Sequence, residues 1–148
     1  MNETTPQKRP SVGVGVVVLR TFQGQQEVLL IRRGRAPWLG HWSIPGGHQE
    51  LLETVRETAA REVLEETGVT IANLRLIDVV DSISHHPDGA LQRHITLIDF
   101  RADWTGGDPK AGDDAAEAIW VPLTDLGQYQ LWSETIRIIT TGAAMSGA

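Results

Sequence analysis

One segment restricts the fold more than any other. Across residues 54–67 the apolar Val55, Ala59 and Val63 recur at helical spacing, and Gly68 follows as a C-terminal stop. The spacing predicts one helix here, with β-type sequence on both sides of it. Residues 12–19 are a β-branched run interrupted by Gly13 and Gly15, and residues 27–32 repeat that character after a Gly- and Gln-rich turn at 23–26, which predicts a hairpin. Residues 34–47 hold two prolines and four glycines with Trp38 and Trp42, so an irregular loop around one short strand near 42–44 is expected. After the helix, residues 71–81, 94–104 and 117–121 are expected strands, with loops at 85–90 and 105–114. Ser133 is expected to cap a last helix ending near Thr141. Strands, helix, strands, helix is the order of an α/β mixed sheet with helices packed on its faces, not of a regular βαβ repeat.

A chain of 148 residues fits one domain, expected over residues 11–142, with loose segments at 1–10 and 143–148. With no cysteine there is no disulfide, thiolate metal site or thiol nucleophile, so any metal must take oxygen or imidazole ligands. No apolar run approaches the ~20 residues that span a bilayer, and a soluble, cytoplasmic protein is expected. The formal net charge of −6, without a block of Lys and Arg, argues against general nucleic-acid binding. It leaves room for a small anionic ligand, because a cation held by carboxylates inverts the local charge.

The helix carries such carboxylates. At about 100° per residue, Glu62, Glu65 and Glu66 fall within an arc of about 100°. Arg56 and Arg61 supply some compensation, with Glu57 placed to pair with Arg61, yet the three glutamates stay largely unmatched. Most Glu-rich helix faces are simply solvated. A hard divalent cation with oxygen ligands, magnesium first, is the other reading, and Gly46 and Gly47 after Pro45 allow a backbone carbonyl to approach the same ion.

Gly47, Glu53, Arg61, Glu62, Val63, Glu65, Glu66, Gly68 and Val69 match, without a departure, the pattern Gly-x5-Glu-x7-Arg-Glu-U-x-Glu-Glu-x-Gly-U, where U is aliphatic. In this the chain resembles the Nudix hydrolases, and the looser likeness runs from about Val12 to Leu126, including Trp120, Val121, Pro122 and Leu123. The resemblance implies the Nudix fold, an α/β/α sandwich around a mixed β-sheet. It also implies Glu62, Glu65 and Glu66 as metal ligands, with the Gly46 carbonyl, for Mg2+ or Mn2+ in its place. Gly47, Glu53, Arg61 and Gly68 are implied as structural members. The implied reaction is metal-dependent attack of water on a phosphoanhydride, with no covalent enzyme intermediate. A homodimer is compatible by family analogy.

The general base is open among a box glutamate, Glu117, Asp113 and Asp114, each of which also reads as an ordinary surface carboxylate. Arg32, Arg33 and Arg35 form a basic group suited to bidentate phosphate binding, or to solvated strand ends. Of the five tryptophans, Trp42 and Trp120 sit in strand-like segments and read as core, whereas Trp38 in its loop is the candidate to stack on a base. Trp104 and Trp132 carry no distinguishing context. His85, His86 and His94 read as loop or core histidines before they read as ligands. The resemblance favours ADP-ribose or a related sugar nucleotide as substrate, and Pro87 loosely resembles a proline downstream of the box in ADP-ribose-cleaving members. The alternatives are a nucleoside triphosphate pyrophosphohydrolase and a catalytically silent nucleotide-binding module, against which the intact glutamate set argues.

Overall fold

A computed structural model describes residues 7–36 and 38–145. Seven strands form one mixed sheet: β1 Ser11–Phe22, β2 Gln25–Arg33, β3 Trp42–Ser43, β4 Gly46–His48, β5 Thr70–His85, β6 Leu91–Gly106 and β7 Ala115–Pro122. The path runs β3-β2-β1-β6-β5, with β4 paired to β1 and β7 to β2. Among the described residues only β1 and β6 pair in parallel. Helix α1, Val55–Thr67, covers one face, helix α2, Ser133–Ala144, covers the other, and a 3-10 turn spans Leu123–Gln128.

The central strand explains the layering. Val14, Val16 and Val18 of β1 pack with Leu29, Phe100 and Ala102 against Ala59 and Val63 of α1. Val17 and Leu19 point the other way, with Val28, Leu30, Val80 and Val121, against Ile138 and Ile139 of α2. A strand buried on both faces needs no polar alternation, which is why β1 reads as an unbroken apolar run. The β1–β2 turn is two residues, Gln23 at φ 51° and Gly24 at φ 78°, so both centres carry the positive φ that matches strand twist in a tight hairpin.

Several boundaries differ from the expectations above, each through a tertiary contact. The Gln7 side chain bonds the backbone of His94, accepting at 2.9 Å and donating at 2.7 Å, so residues before β1 are tied to β6. The expected tail residues 1–6 and 146–148 lie outside the described residues. Helix α2 runs on to Ala144 because the buried Arg101 donates to the carbonyls of Gly142 and Met145 at 3.0 and 2.7 Å. Ser133 is its first helical residue and not its cap; Trp132 precedes it without a side-chain cap bond. Among the described residues no helix is long and apolar enough to cross a membrane.

Helix α1 starts on a reciprocal cap. Thr54 Oγ1 accepts from the Glu57 N–H at 3.1 Å and Glu57 Oε1 accepts from the Thr54 N–H at 2.8 Å. Glu57 therefore serves the cap, and Arg61 takes other partners. Gly68 in the left-handed region closes the helix by donating to Leu64. Replacing Thr54 with Ala is expected to cost about 1 kcal/mol, a fall in Tm of about 2–4 °C by calorimetry, with the sheet's circular dichroism retained.

Candidate active site

The turn from β4 into α1 brings the box residues together through one guanidinium. Arg61 donates side-on to Glu53, Nε to Oε2 at 2.6 Å and Nη2 to Oε1 at 3.0 Å. Its Nη1 reaches Glu62 and Glu65, both at 3.0 Å, and Nη2 also reaches the His48 carbonyl at 3.1 Å. Glu53 in turn accepts from the Thr58 hydroxyl at 2.7 Å and the Glu50 N–H at 3.1 Å. Arg61 and then Thr58 hold the Glu53 carboxyl down at a pKa of about 2. Loop and helix are thus locked by charge-assisted bonds.

The approach of β4 to α1 is close. The Glu62 carboxyl fills the space that a side chain at Gly47 would need, so any Cβ there would collide with it. The Gly46 N–H donates to Glu66 Oε1 at 2.9 Å, and it is through this N–H that the structure shows Gly46 touching the helix. Glu62 and Glu66 are buried on the inner side of α1, while Glu65 faces outward.

A loop that carries no recognisable motif completes the group. The Lys110 N–H donates to the Thr67 carbonyl at 2.9 Å and the Gly112 N–H to the Glu66 carbonyl at 3.0 Å, satisfying the open C-terminal end of α1. That docking presents Asp113, in the left-handed region at φ 51°, to the helix. One carboxylate oxygen from each of Glu62, Glu65 and Asp113 lies within 4.8 Å of the other two. Of the three later carboxylates considered from sequence, Asp113 is the one that joins the helix glutamates. Glu117 faces Arg32 across β2 and β7 and pairs with it at 2.6 Å, and Asp114 pairs with Arg35 at 3.0 Å.

This group is short of positive charge. Arg61 serves Glu53, Glu62 and Glu65 at once, and Glu66 receives a single backbone N–H. Burial, then repulsion from Glu62, Asp113 and Asp114, drives the Glu66 carboxyl up to about 8, against the Gly46 hydrogen bond. Burial likewise raises Glu62, against Arg61. Two buried carboxyls that resist ionisation, Glu62 and Glu66, in a group that offers only hard oxygen donors fit a divalent cation. Glu62, Glu65 and Asp113 are close enough together to hold one, with Glu66 adjacent on the helix.

A second cluster stands beside β4. His48, next to Gly47, is lowered by burial and then by the positive charge of Arg93, whose guanidinium lies 5.8 Å from the centre of the Trp38 ring. Trp38 is therefore already stacked against a cation from β6. Nothing in the local sequence marks Arg93, a polar residue in an alternating strand. Trp42 packs edge-on against Tyr129 at 5.0 Å in the α2-side core. Trp120 packs beside the α1-side core, edge-on to Trp104, under the guanidinium of Arg20. His85 and His86 are exposed at the β5–β6 turn, where the His86 N–H bonds Ala90.

Known proteins show the same organisation. The family model described as NUDIX domain matches residues 9–141. An ADP-ribose pyrophosphatase of Methanocaldococcus jannaschii is 38% identical over 127 residues, covering 86% of this chain and 70% of that one. A putative 8-oxo-dGTP diphosphatase 2 of Mycobacterium tuberculosis is 39% identical over 100 residues, 67% of each chain. The crystal structure of a MutT NUDIX hydrolase from Burkholderia pseudomallei superposes with a TM-score of 0.75 at 32% identity, covering 90% of this chain and 98% of that one. The chain belongs to the Nudix family, and it is a Nudix hydrolase.

The raised Glu66 pKa has a thermodynamic consequence. Unfolded, this carboxyl releases its proton near 4.5; folded and metal-free, it holds it to about 8. Folded protein thus binds more protons than unfolded across that window, and stability falls as pH rises through it. Thermal melts in chelator are expected to show Tm falling from about pH 5 to about pH 8, and Mg2+ should restore most at the upper end, where the carboxylates are ionised for it. Glu66→Gln is expected to remove the larger part of both effects; an unchanged slope in that variant would contradict the assignment.

Proposed function

We propose that this hydrolase cleaves the phosphoanhydride of ADP-ribose or a related sugar nucleotide, releasing AMP and a sugar phosphate, with Mg2+ as its cation and Mn2+ as a substitute. The observation that carries the substrate is the 38% identity, over most of both chains, to a relative named ADP-ribose pyrophosphatase. The geometry supports the chemistry. Glu62, Glu65 and Asp113 converge beside α1, and Glu66, on the same helix, accepts from the N–H of Gly46 in the β4 turn. When bound, a divalent cation lowers the pKa of water and offsets charge on phosphate oxygens.

The chain's own residues supply the rest. Arg61 and Glu53 keep the turn and helix in register, so the glutamates meet the phosphates without reorganisation. Asp113 is the favoured general base through the carboxylate oxygen that does not face the cation: it is exposed, adjoins Glu62 and Glu65, and stands on a loop that can approach an attacking water. Glu117 is the weaker candidate, since it is held by Arg32. Arg33, Arg35 and Arg93 offer cationic groups for the diphosphate, with Trp38 as a face for base or sugar. Arg35 would exchange its pairing with Asp114 for the substrate.

A second reading is favoured by the Mycobacterium tuberculosis relative, whose name assigns it a nucleoside triphosphate. The two are separated by their products. With Mg2+, ADP-ribose is expected to give AMP and ribose 5-phosphate by chromatography, and Glu65→Gln to lower kcat/KM by on the order of 100-fold or more. Pyrophosphate release from 8-oxo-dGTP with ADP-ribose untouched would overturn the substrate and favour the second reading. Tight binding without turnover of either would favour a silent binding module.

A further inference from the structure

We propose that Asp99, on β6, reads the nucleobase of the substrate by accepting hydrogen bonds from its N–H edge. The proposal rests on the nucleotide-hydrolase reading above and adds the residue that selects the base. Asp99 is 5% exposed, and among the described residues no N–H or O–H donates to its carboxyl. Burial, then the charge of Asp78, pushes it up to about 6, with Arg137 opposing. Asp78, its register partner on β5, is itself taken by Arg137 of α2 at 3.1 Å. A buried carboxylate without a donor is costly to the fold, and such groups are kept where function uses them.

The surroundings place Asp99 in line with the active turn. Gly15 of β1 is in register with Asp99 on one side and with Gly46 on the other. Strands lie about 4.8 Å apart, so Asp99 stands about 10 Å from the residue that holds Glu66. The absence of a side chain at Gly15 makes room for Asp99 Oδ1, which a Cβ there would push aside. The missing side chain lets the carboxyl lean over β1, toward the turn. Ile44, two residues ahead of Gly46, brings its Cδ1 to 3.0 Å from the same point and acts as the cover.

The sheet also parts at this end. β1 pairs with β2 at Leu19–Phe22 but with β4 at Gly13–Gly15, while β2 goes on to β3 and β7. Val16 is fully buried and its N–H bonds the Pro45 carbonyl at 2.9 Å, so a ligand whose phosphates sit at Glu62, Glu65 and Asp113 would bring its base round the β4 turn, not through the sheet, toward Asp99 on the α2 side. One ribose separates a phosphate from its base, which matches a recognition group two strands away. The apolar Ile44 and Leu97 beside Asp99 suit the flat faces of a base, and the carboxyl suits its polar edge.

Equilibrium titration with AMP, GMP and ribose 5-phosphate in Mg2+ tests this on wild type, Asp99→Asn and Gly15→Ala. Wild type is expected to bind one nucleotide on the order of 10- to 100-fold more tightly than ribose 5-phosphate, the range of a hydrogen bond to a charged group. Asp99→Asn should close that gap while its Tm holds or rises, a pairing that a purely structural carboxylate would not give. Gly15→Ala, which displaces the carboxyl without removing it, should narrow the gap as well. A gap closed by Asp99→Asn with GMP preferred over AMP supports Asp99 and argues instead against ADP-ribose as substrate. No gap in wild type, a gap that survives Asp99→Asn, or an equal loss for nucleotide and ribose 5-phosphate overturns the proposal.

Discussion

The arrangement depends on one guanidinium. Arg61 projects from α1 and bonds Glu53 in the preceding loop, the backbone of β4 at His48, and Glu62 and Glu65 on its own helix. A glutamate-rich helix face left to itself would spread its side chains into water. Here one delocalised cation with five donors fixes them, and lysine could not reproduce the fork. The same network sets the distance at which Gly46 meets Glu66 and the Glu62 carboxyl passes over Gly47. Its charge is spread over too many carboxylates to neutralise them, and this deficit makes the site receptive to a cation.

Stability and chemistry pull in opposite directions in this turn. Burying Glu62 and Glu66 under β4 raises the cost of ionising them, which an isolated fold would avoid. The fold compensates around them with the Thr54–Glu57 cap, the Gly68 stop and the carbonyls of Glu66 and Thr67 closed by the 110–112 loop. That last contact does two things: it finishes the helix, and it delivers Asp113. The placement of Asp113 beside Glu62 and Glu65 is thus coupled to helix capping, so this loop is not a freely variable surface connection.

Much of this was legible in the sequence where the signal is local. Val55, Ala59 and Val63 mark α1 because one face meets the core, and the valines of β1 mark a central strand because both of its faces do. The box glutamates stand out because their spacing brings like charges onto one arc. What was not legible depends on partners distant in the chain. β4 has two glycines in three residues and no β propensity; it is a strand because its backbone pairs with Gly13–Gly15 of β1, and its glycines are needed because Val14 and Glu62 leave no space for side chains. Asp113 could not be separated from Asp114 and Glu117 until backbone bonds to α1 placed it. Arg93 and Asp99 look like ordinary polar residues of an alternating strand, and only pairing with β1 and the approach of the 38–48 segment give them neighbours that matter.

On the function proposed above, a loop carboxylate and the helix glutamates share one divalent cation. Mn2+ titration followed by electron paramagnetic resonance tests it directly, comparing wild type with Asp113→Asn, which keeps a residue tolerant of the left-handed backbone at that position. Asp113→Asn is expected to weaken Mn2+ binding to a similar degree as Glu65→Gln, with the fold intact by circular dichroism. Wild-type affinity in Asp113→Asn alongside lost affinity in Glu65→Gln would contradict it, leaving the helix to bind the ion without the loop.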